Sequence, residues 1–242
     1  MVLYIHQHSN WPDFTWDDKV LLSPLASVRS THGRLLGKME GLGFHFHNDA
    51  SLSTLTADAI KSSLIEGEEL NKEEVRSSVA RHLGMDVAGM VTPSRHVDGV
   101  VDMLIDASQH YANPLTKERL CAWQAALFPT GRSGLYSVRT GDWRDGPMQV
   151  VSGAMGKERV HFEAPPAARV PEEMDRFLEW FNTDSSMDPV LKSGLAHLWF
   201  VTVHPFDDGN GRVARAVGDL QLARADGTPH RFYSMSTQIE EE

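Results

Sequence analysis

Residues 204–215 hold most of the side chains in this sequence that could act together chemically: His204-Pro205-Phe206-Asp207-Asp208-Gly209-Asn210-Gly211-Arg212-Val213-Ala214-Arg215. Gly209 and Gly211 permit positive backbone φ and close approach by a ligand. A helix starting near Asn210–Gly211 offers unbonded N–H groups and the positive end of its dipole to an anion. Arg212 and Arg215, three apart, share nearly one helical face. Two guanidinium forks beside that terminus would cradle a polyphosphate. Asp208 adds the hard oxygen that a phosphate-bound Mg²⁺ requires. His204, with an ordinary pKa of about 6.5, suits general-base work. Together these are the parts of a nucleotide-transfer site.

The residues also admit blander readings. Asp-Asp-Gly-Asn-Gly spells a tight turn with an acidic cap. Residues 209–214 satisfy a dinucleotide-type G-x-G-x-x-A string, but no strand precedes it, no βαβ unit surrounds it, and no Walker lysine follows a glycine loop. His6, His8, His45 and His47 form two His-x-His pairs; without neighbouring carboxylates or cysteines they read as surface histidines rather than metal ligands. His197 reads as a core residue, and Tyr233 as either a packing residue or a neighbour of the nucleotide. The run Glu66-Gly67-Glu68-Glu69 reads as a solvated helix end.

Helical periodicity dominates the elements that must position this loop. Apolar residues recur at three- and four-residue steps from about 16 to 42, with Ser23-Pro24 as a candidate start or bend and Gly41 and Gly43 as the end. A second helix is expected from Leu52 to Ile65, stopping at Gly67. Asn71 with Glu74 three residues on opens a third, which ends at Gly84. Further helices are expected near 95–110 and 117–128. Between Arg132 and Pro171, short runs at 148–151 and 159–162 flank Gly153–Gly156 and suggest a hairpin. Pro171 opens the next helix. The most apolar stretch, Val190 to Val203, reads as a helix buried on most sides and delivers His204 at its end.

Composition bounds the partners. The chain has 242 residues and 23 Lys+Arg against 33 Asp+Glu, a net charge of −10, which argues against charge-driven binding to nucleic acid or anionic membrane. A single cysteine, Cys121, excludes an intramolecular disulfide and a multi-cysteine zinc site, and fits a reducing compartment. No secretory signal and no membrane-length apolar run is present, so a soluble cytoplasmic protein is expected.

The string His204-Pro-Phe-Asp-Asp-Gly-Asn-Gly-Arg-Val-Ala-Arg215 resembles, at every fixed position, the signature of the Fic-domain family (Fic/Doc) of protein adenylyltransferases. Trp11–Asp17 and Gly33–Met39 are similar to the N-terminal region of one bacterial branch. Gly141–Arg144, Gln149–Gly153 and Val160–Pro165 are similar to its flap. The resemblance spans about residues 4–237. It implies a mainly α Fic-type domain with a β-hairpin flap and an N-terminal helical extension. Residues 1–90 would be the extension, with an inhibitory helix at about 52–67. Residues 91–242 would be the Fic core, with the flap at about 148–163 and the catalytic loop at 204–215.

The same resemblance implies AMP transfer from ATP to a Ser, Thr or Tyr hydroxyl of a protein target, self-modification included. His204 would be the catalytic base, and Asp208 would hold Mg²⁺ on the α- and β-phosphates. Backbone N–H groups around Gly209 and Gly211, with the Asn210 side chain, would bind the α-phosphate. Arg212 and Arg215 would hold the β- and γ-phosphates, and Phe206 would anchor the loop in the core. Ser62-Ser-Leu-Ile-Glu66-Gly67 fits the family's inhibitory pattern, implying a Glu66–Arg215 ion pair that misaligns ATP. Removal of AMP by hydrolysis, transfer of another nucleotide, and an idle binding module remain alternatives, and a homodimer remains open. Members of this branch continue into a longer helix and a winged helix, whereas this sequence stops at Glu242; DNA binding and a dimer contact are therefore not carried over.

Overall fold

The computed structural model describes residues 3–41, 44–152, 159–183 and 186–241. Among them, nine α-helices and two small antiparallel hairpins follow in the order α1 (Asp18–Glu40), α2 (Phe44–Ile65), α3 (Lys72–His82), α4 (Arg95–Gln109), α5 (Lys117–Leu127), β1 (Arg132–Ser133), β2 (Tyr136–Ser137), β3 (Gln149–Ser152), β4 (Arg159–Glu163), α6 (Val170–Asn182), α7 (Pro189–Val203), α8 (Asn210–Asp226) and α9 (Met235–Glu241). The side chains of Asn71, Ser94, Thr116 and Asp188 accept N–H groups in the first turns of α3, α4, α5 and α7. Each such cap is worth about 1 kcal/mol.

Two helix starts differ from the sequence expectation. Asp17 caps α1 by accepting the Lys19 N–H at 2.9 Å, so the helix begins well before Ser23-Pro24 and carries Pro24 inside it. That proline forfeits one hydrogen bond, a loss a well-capped helix of this length absorbs. α2 begins at Phe44 rather than near Leu52. Gly43, Gly153–Gly156 and the His45 side chain lie outside the described residues.

One hydrophobic core runs from Leu52 and Leu55 of α2 through Val75 and Val79 of α3, Val100 and Leu104 of α4, Leu120 of α5 and Phe177 of α6 to α7 and α8. The segment near residue 90 lies between α3 and α4, whose facing surfaces share this core. The apolar α7 is not the most enclosed element, contrary to its composition: Leu198 is 40% exposed. α8 is enclosed instead, with every residue from Arg212 to Ala223 buried. Small residues make this possible. Ser193 Oγ of α7 donates to the Gly218 carbonyl at 2.9 Å, and a Cβ on Gly218 would stand 3.3 Å from that hydroxyl.

α1 buries no residue, and a cavity of about 930 Å³ separates it from α7, α8 and α9. α2 is fastened to the C-terminal segment: Asp58 accepts from Ser234 Oγ at 2.5 Å, and Lys61 pairs with Glu240 at 2.8 Å. The β3–β4 hairpin pairs Gln149 with Glu163 and Val150 with Phe162, with a bulge before Val151. Its strands are exposed except for Phe162, which meets the rings of Tyr4 at 5.3 Å and His6 at 5.8 Å. No described helix is long and apolar enough to cross a membrane.

Candidate active site

α7 closes on His204, whose φ of 52° makes it the one non-glycine residue with positive φ among those described. An L-residue there costs about 1–2 kcal/mol, so the surroundings must hold it. Its N–H donates to the Phe200 carbonyl at 2.9 Å, and its carbonyl accepts from Arg144 Nε at 2.7 Å. Nδ1 lies 3.1 Å from the Val201 carbonyl. A carbonyl only accepts, so Nδ1 carries the proton and Nε2 is left as an acceptor. Burial lowers the His204 pKa; the bond to Val201 opposes this, the Arg144 charge adds to it, and Glu66 and Asp208 oppose it. A neutral imidazole with a free lone pair results.

Arg144 does most of the holding. It is buried, and besides the His204 carbonyl its guanidinium donates to the carbonyls of Gly146 at 2.8 Å, Pro165 at 2.6 Å and Val203 at 3.3 Å. One cation thus ties the end of α7 to the chain on both sides of the β3–β4 hairpin. Sequence reading placed Arg144 only within a flap segment, because a lone arginine in a loop has no periodic signal.

Phe206 is fully buried, its ring 5.0 Å from Trp143 and 6.2 Å from Phe200. Asn210 clasps the same residue: its Oδ1 accepts from Phe206 N–H at 2.9 Å, and its Nδ2 donates to Phe206 O at 2.8 Å. This amide, expected on a phosphate, closes the loop upon itself. Asp208 Oδ1 accepts from Gly209 N–H at 2.6 Å. Fully buried Gln124 braces the outer side, accepting from Gly141 N–H at 2.9 Å and donating to the Arg139 carbonyl at 3.2 Å.

Gly209 has φ 85°, and a Cβ there would lie 3.0 Å from Leu127 Cδ1 and from Phe128 Cε2. A Cβ on Gly211 would collide with Glu66 Oε1. The first backbone N–H bonded within α8 belongs to Val213, so those of residues 210–212 face the same space.

Two of the α8 arginines, Arg212 and Arg215, are buried and held by the end of α2. Arg215 Nε donates to Ser62 Oγ at 2.8 Å; its Nη2 donates to Ser62 O at 2.7 Å and to Glu66 Oε1 at 2.9 Å. Arg212 Nη1 donates to Glu68 Oε2 at 2.7 Å, and its guanidinium stacks on Phe128 at 5.3 Å. Glu68 also lies 2.6 Å from His96 Nε2. The expectation that Glu68 is only part of a solvated helix end is therefore corrected. A glutamate one residue past a left-handed glycine shows its direction only when the turn is built.

The other candidates sit elsewhere. His6 is buried beneath Phe162, and His47 packs on the rings of His230 and Phe232, so neither is the free surface histidine expected. His197 is half-buried; burial and then the Arg215 charge lower its pKa. Tyr233 donates to Asp226 Oδ2 at 2.9 Å with its ring against His32. Burial pushes the Cys121 thiol up to about 11, an unreactive state. No cluster of three or more His, Cys, Asp or Glu suited to a metal occurs among the described residues.

A left-handed histidine closes one core helix and a helix N-terminus without a side-chain cap opens the next, within a helical domain. The chain carries a Fic/DOC family domain: that family's model matches residues 114–222, and a model described as a domain of unknown function, DUF4172, matches residues 4–85. The chain is similar to protein adenylyltransferase fic-1 of Caenorhabditis briggsae, 38% identical over 73 residues, covering 29% of this chain and 14% of that one. It is also similar to protein adenylyltransferase Fic of Drosophila ananassae, 47% identical over 58 residues, covering 23% of this chain and 12% of that one. The chain thus matches only a small part of the length of these curated relatives. In fold it is similar to a Fic family protein from Desulfovibrio desulfuricans G20, with TM-score 0.63 and 24% identity over 95% of this chain and 65% of that chain. It is likewise similar to a Fic domain containing signaling protein from Bacteroides thetaiotaomicron, with TM-score 0.60 and 18% identity over 78% of this chain and 70% of that chain.

Proposed function

We propose that the protein is an autoinhibited protein adenylyltransferase, moving AMP from ATP to a hydroxyl side chain of a protein. The observation that carries this reading is the convergence of Arg212, Arg215 and the α8 N-terminus on one space, held by acidic residues at the end of α2. Such an arrangement is made for an anion, and carboxylates stand in for it.

In the reaction, His204 Nε2 takes the proton of the target hydroxyl as its oxygen bonds to the α-phosphorus of ATP. The bond from that phosphorus to the bridging oxygen breaks, and pyrophosphate leaves. The N–H groups of residues 210–212 face the charge developing on the α-phosphate, and Arg212 and Arg215 hold the β- and γ-phosphates. Asn210 acts by fixing the loop through Phe206. Asp208 has one carboxylate oxygen committed to Gly209 N–H, and a single further oxygen suits Mg²⁺, which takes its remaining ligands from phosphate and water. Bound there, the metal would neutralise phosphate charge. The exposed edges of the β3–β4 hairpin would pair with the target's backbone and aim its hydroxyl.

Glu66 occupies Arg215 and the α8 terminus, so a bound triphosphate cannot align its α-phosphorus. A misplacement of about 1 Å costs on the order of a hundredfold in rate. Intact-mass measurement of wild type, Glu66→Gly and Glu66→Gly/His204→Ala with ATP and Mg²⁺ tests the proposal. A gain of one AMP in Glu66→Gly alone is expected. No gain in any of the three, with tight nucleotide binding, would favour the idle-module reading instead.

A further inference from the structure

We infer that Glu68 is a second latch on the phosphate site, holding Arg212 as Glu66 holds Arg215, so that a triphosphate is fully engaged only when both carboxylates withdraw. The inference rests on the reading of Arg212 and Arg215 as the phosphate-binding pair.

The geometry begins with the end of α2. Glu68 N–H donates to the Ser63 carbonyl at 3.0 Å and Gly67 N–H to the Leu64 carbonyl at 2.8 Å, with Gly67 at φ 77°. This is a Schellman turn, in which the left-handed glycine reverses the chain. Residues on either side of that glycine come to lie over one neighbour, and here the neighbour is α8. Glu66 reaches Arg215, and Glu68 reaches Arg212 one helical turn earlier.

Glu68 is also fixed from behind. Its Oε2 takes Arg212 Nη1 at 2.7 Å, while its Oε1 stands 2.6 Å from His96 Nε2. The other nitrogen of His96 lies 3.1 Å from the Leu127 carbonyl, so the ring stands between that carbonyl and the Glu68 carboxylate, the latter at ion-pair distance. Hydrogen bonding to Glu68 raises the His96 pKa, and the same bond lowers that of Glu68. The carboxylate is thus a charged bridge between α4 and α8 rather than a swinging surface group.

Arg212 keeps unused capacity. Its Nε is buried without a hydrogen-bond partner. One carboxylate shared with a histidine leaves that donor unmet, whereas a phosphate offers oxygens enough for the whole fork. Removing Glu66 alone therefore releases Arg215 from its carboxylate, with only the neutral Ser62 partners left, and keeps Arg212 paired with Glu68.

Wild type, Glu68→Gln, Glu66→Gly and the double variant should be compared for binding of ATP and of inorganic tripolyphosphate, and for auto-modification. Glutamine keeps the shape of the turn, and matching thermal unfolding curves for wild type and Glu68→Gln would show that the fold is kept. The double variant is expected to bind tripolyphosphate about tenfold more tightly than Glu66→Gly, with ATP following. His96→Gln in the Glu66→Gly background should produce part of the same gain. Equal affinity and equal rate in Glu66→Gly and the double variant would overturn the second latch. Failure of all four proteins to bind either probe would instead overturn the phosphate reading on which it rests.

Discussion

Glu66 Oε1 lies 2.9 Å from Arg215 Nη2 and occupies the position a Cβ on Gly211 would need, so one carboxylate pairs an arginine and stands at the amino end of α8. α8 has no side-chain N-cap of its own. The contact proposed to inhibit and the charge that stabilises this terminus are therefore the same group.

Glu66→Gly should consequently trade stability for activity. Loss of the anion from the helix end is expected to cost about 1 kcal/mol, seen as a lowered unfolding temperature without nucleotide. ATP–Mg²⁺ at a hundred times its Kd should restore about 2.7 kcal/mol. An unfolding temperature equal to wild type without nucleotide would contradict the capping role.

The pH–rate profile should show the His204 environment. The base works unprotonated, and burial lowers its pKa, so the acid limb of kcat/KM for Glu66→Gly is expected below pH 6.5. Loss of Glu66, which raises this pKa, moves the limb further down. A midpoint above pH 7 would show that the ring is not buried in this way.

His96 makes the opposite prediction for stability. Its folded-state pKa is raised by Glu68, so its contribution is fully present below about pH 6.5 and is lost as pH rises through the raised value. Denaturant titrations between pH 6 and 8 should show a fall in wild type that is flattened in His96→Gln. Parallel curves would mean the pair does not couple to folding.

Arg144→Gln removes donors from buried carbonyls at the His204 loop and the hairpin base. A stability loss of about 1–3 kcal/mol is expected. In the Glu66→Gly background kcat should fall at least about tenfold with ATP affinity nearly unchanged, because the arginine holds the His204 backbone and stands apart from Arg212 and Arg215. A fall in ATP affinity with kcat preserved would refute that division.

Much of the fold is legible along the chain because caps and periodicity are local: Asn71 stands where α3 begins, and the apolar periods near 95–110 and 117–128 fall on α4 and α5. The loop chemistry is legible for the same reason, since residues 204–215 are contiguous. Enclosure is not legible in this way. The apolar α7 stays partly exposed while α8 is enclosed from Arg212 to Ala223, Arg215 and Asp219 included, because Ala214, Ala216 and Gly218 allow close packing that composition hides.

What the sequence determined by itself is the set of candidate reacting groups and their order on one loop. Tertiary structure alone decided who holds them. Arg144 reaches His204 across 60 positions, Glu68 reaches Arg212 across 144, and Asn210 turns its amide inward. These partners meet because helices from distant parts of the chain share one core. A buried charge must find its counterpart wherever that packing brings one.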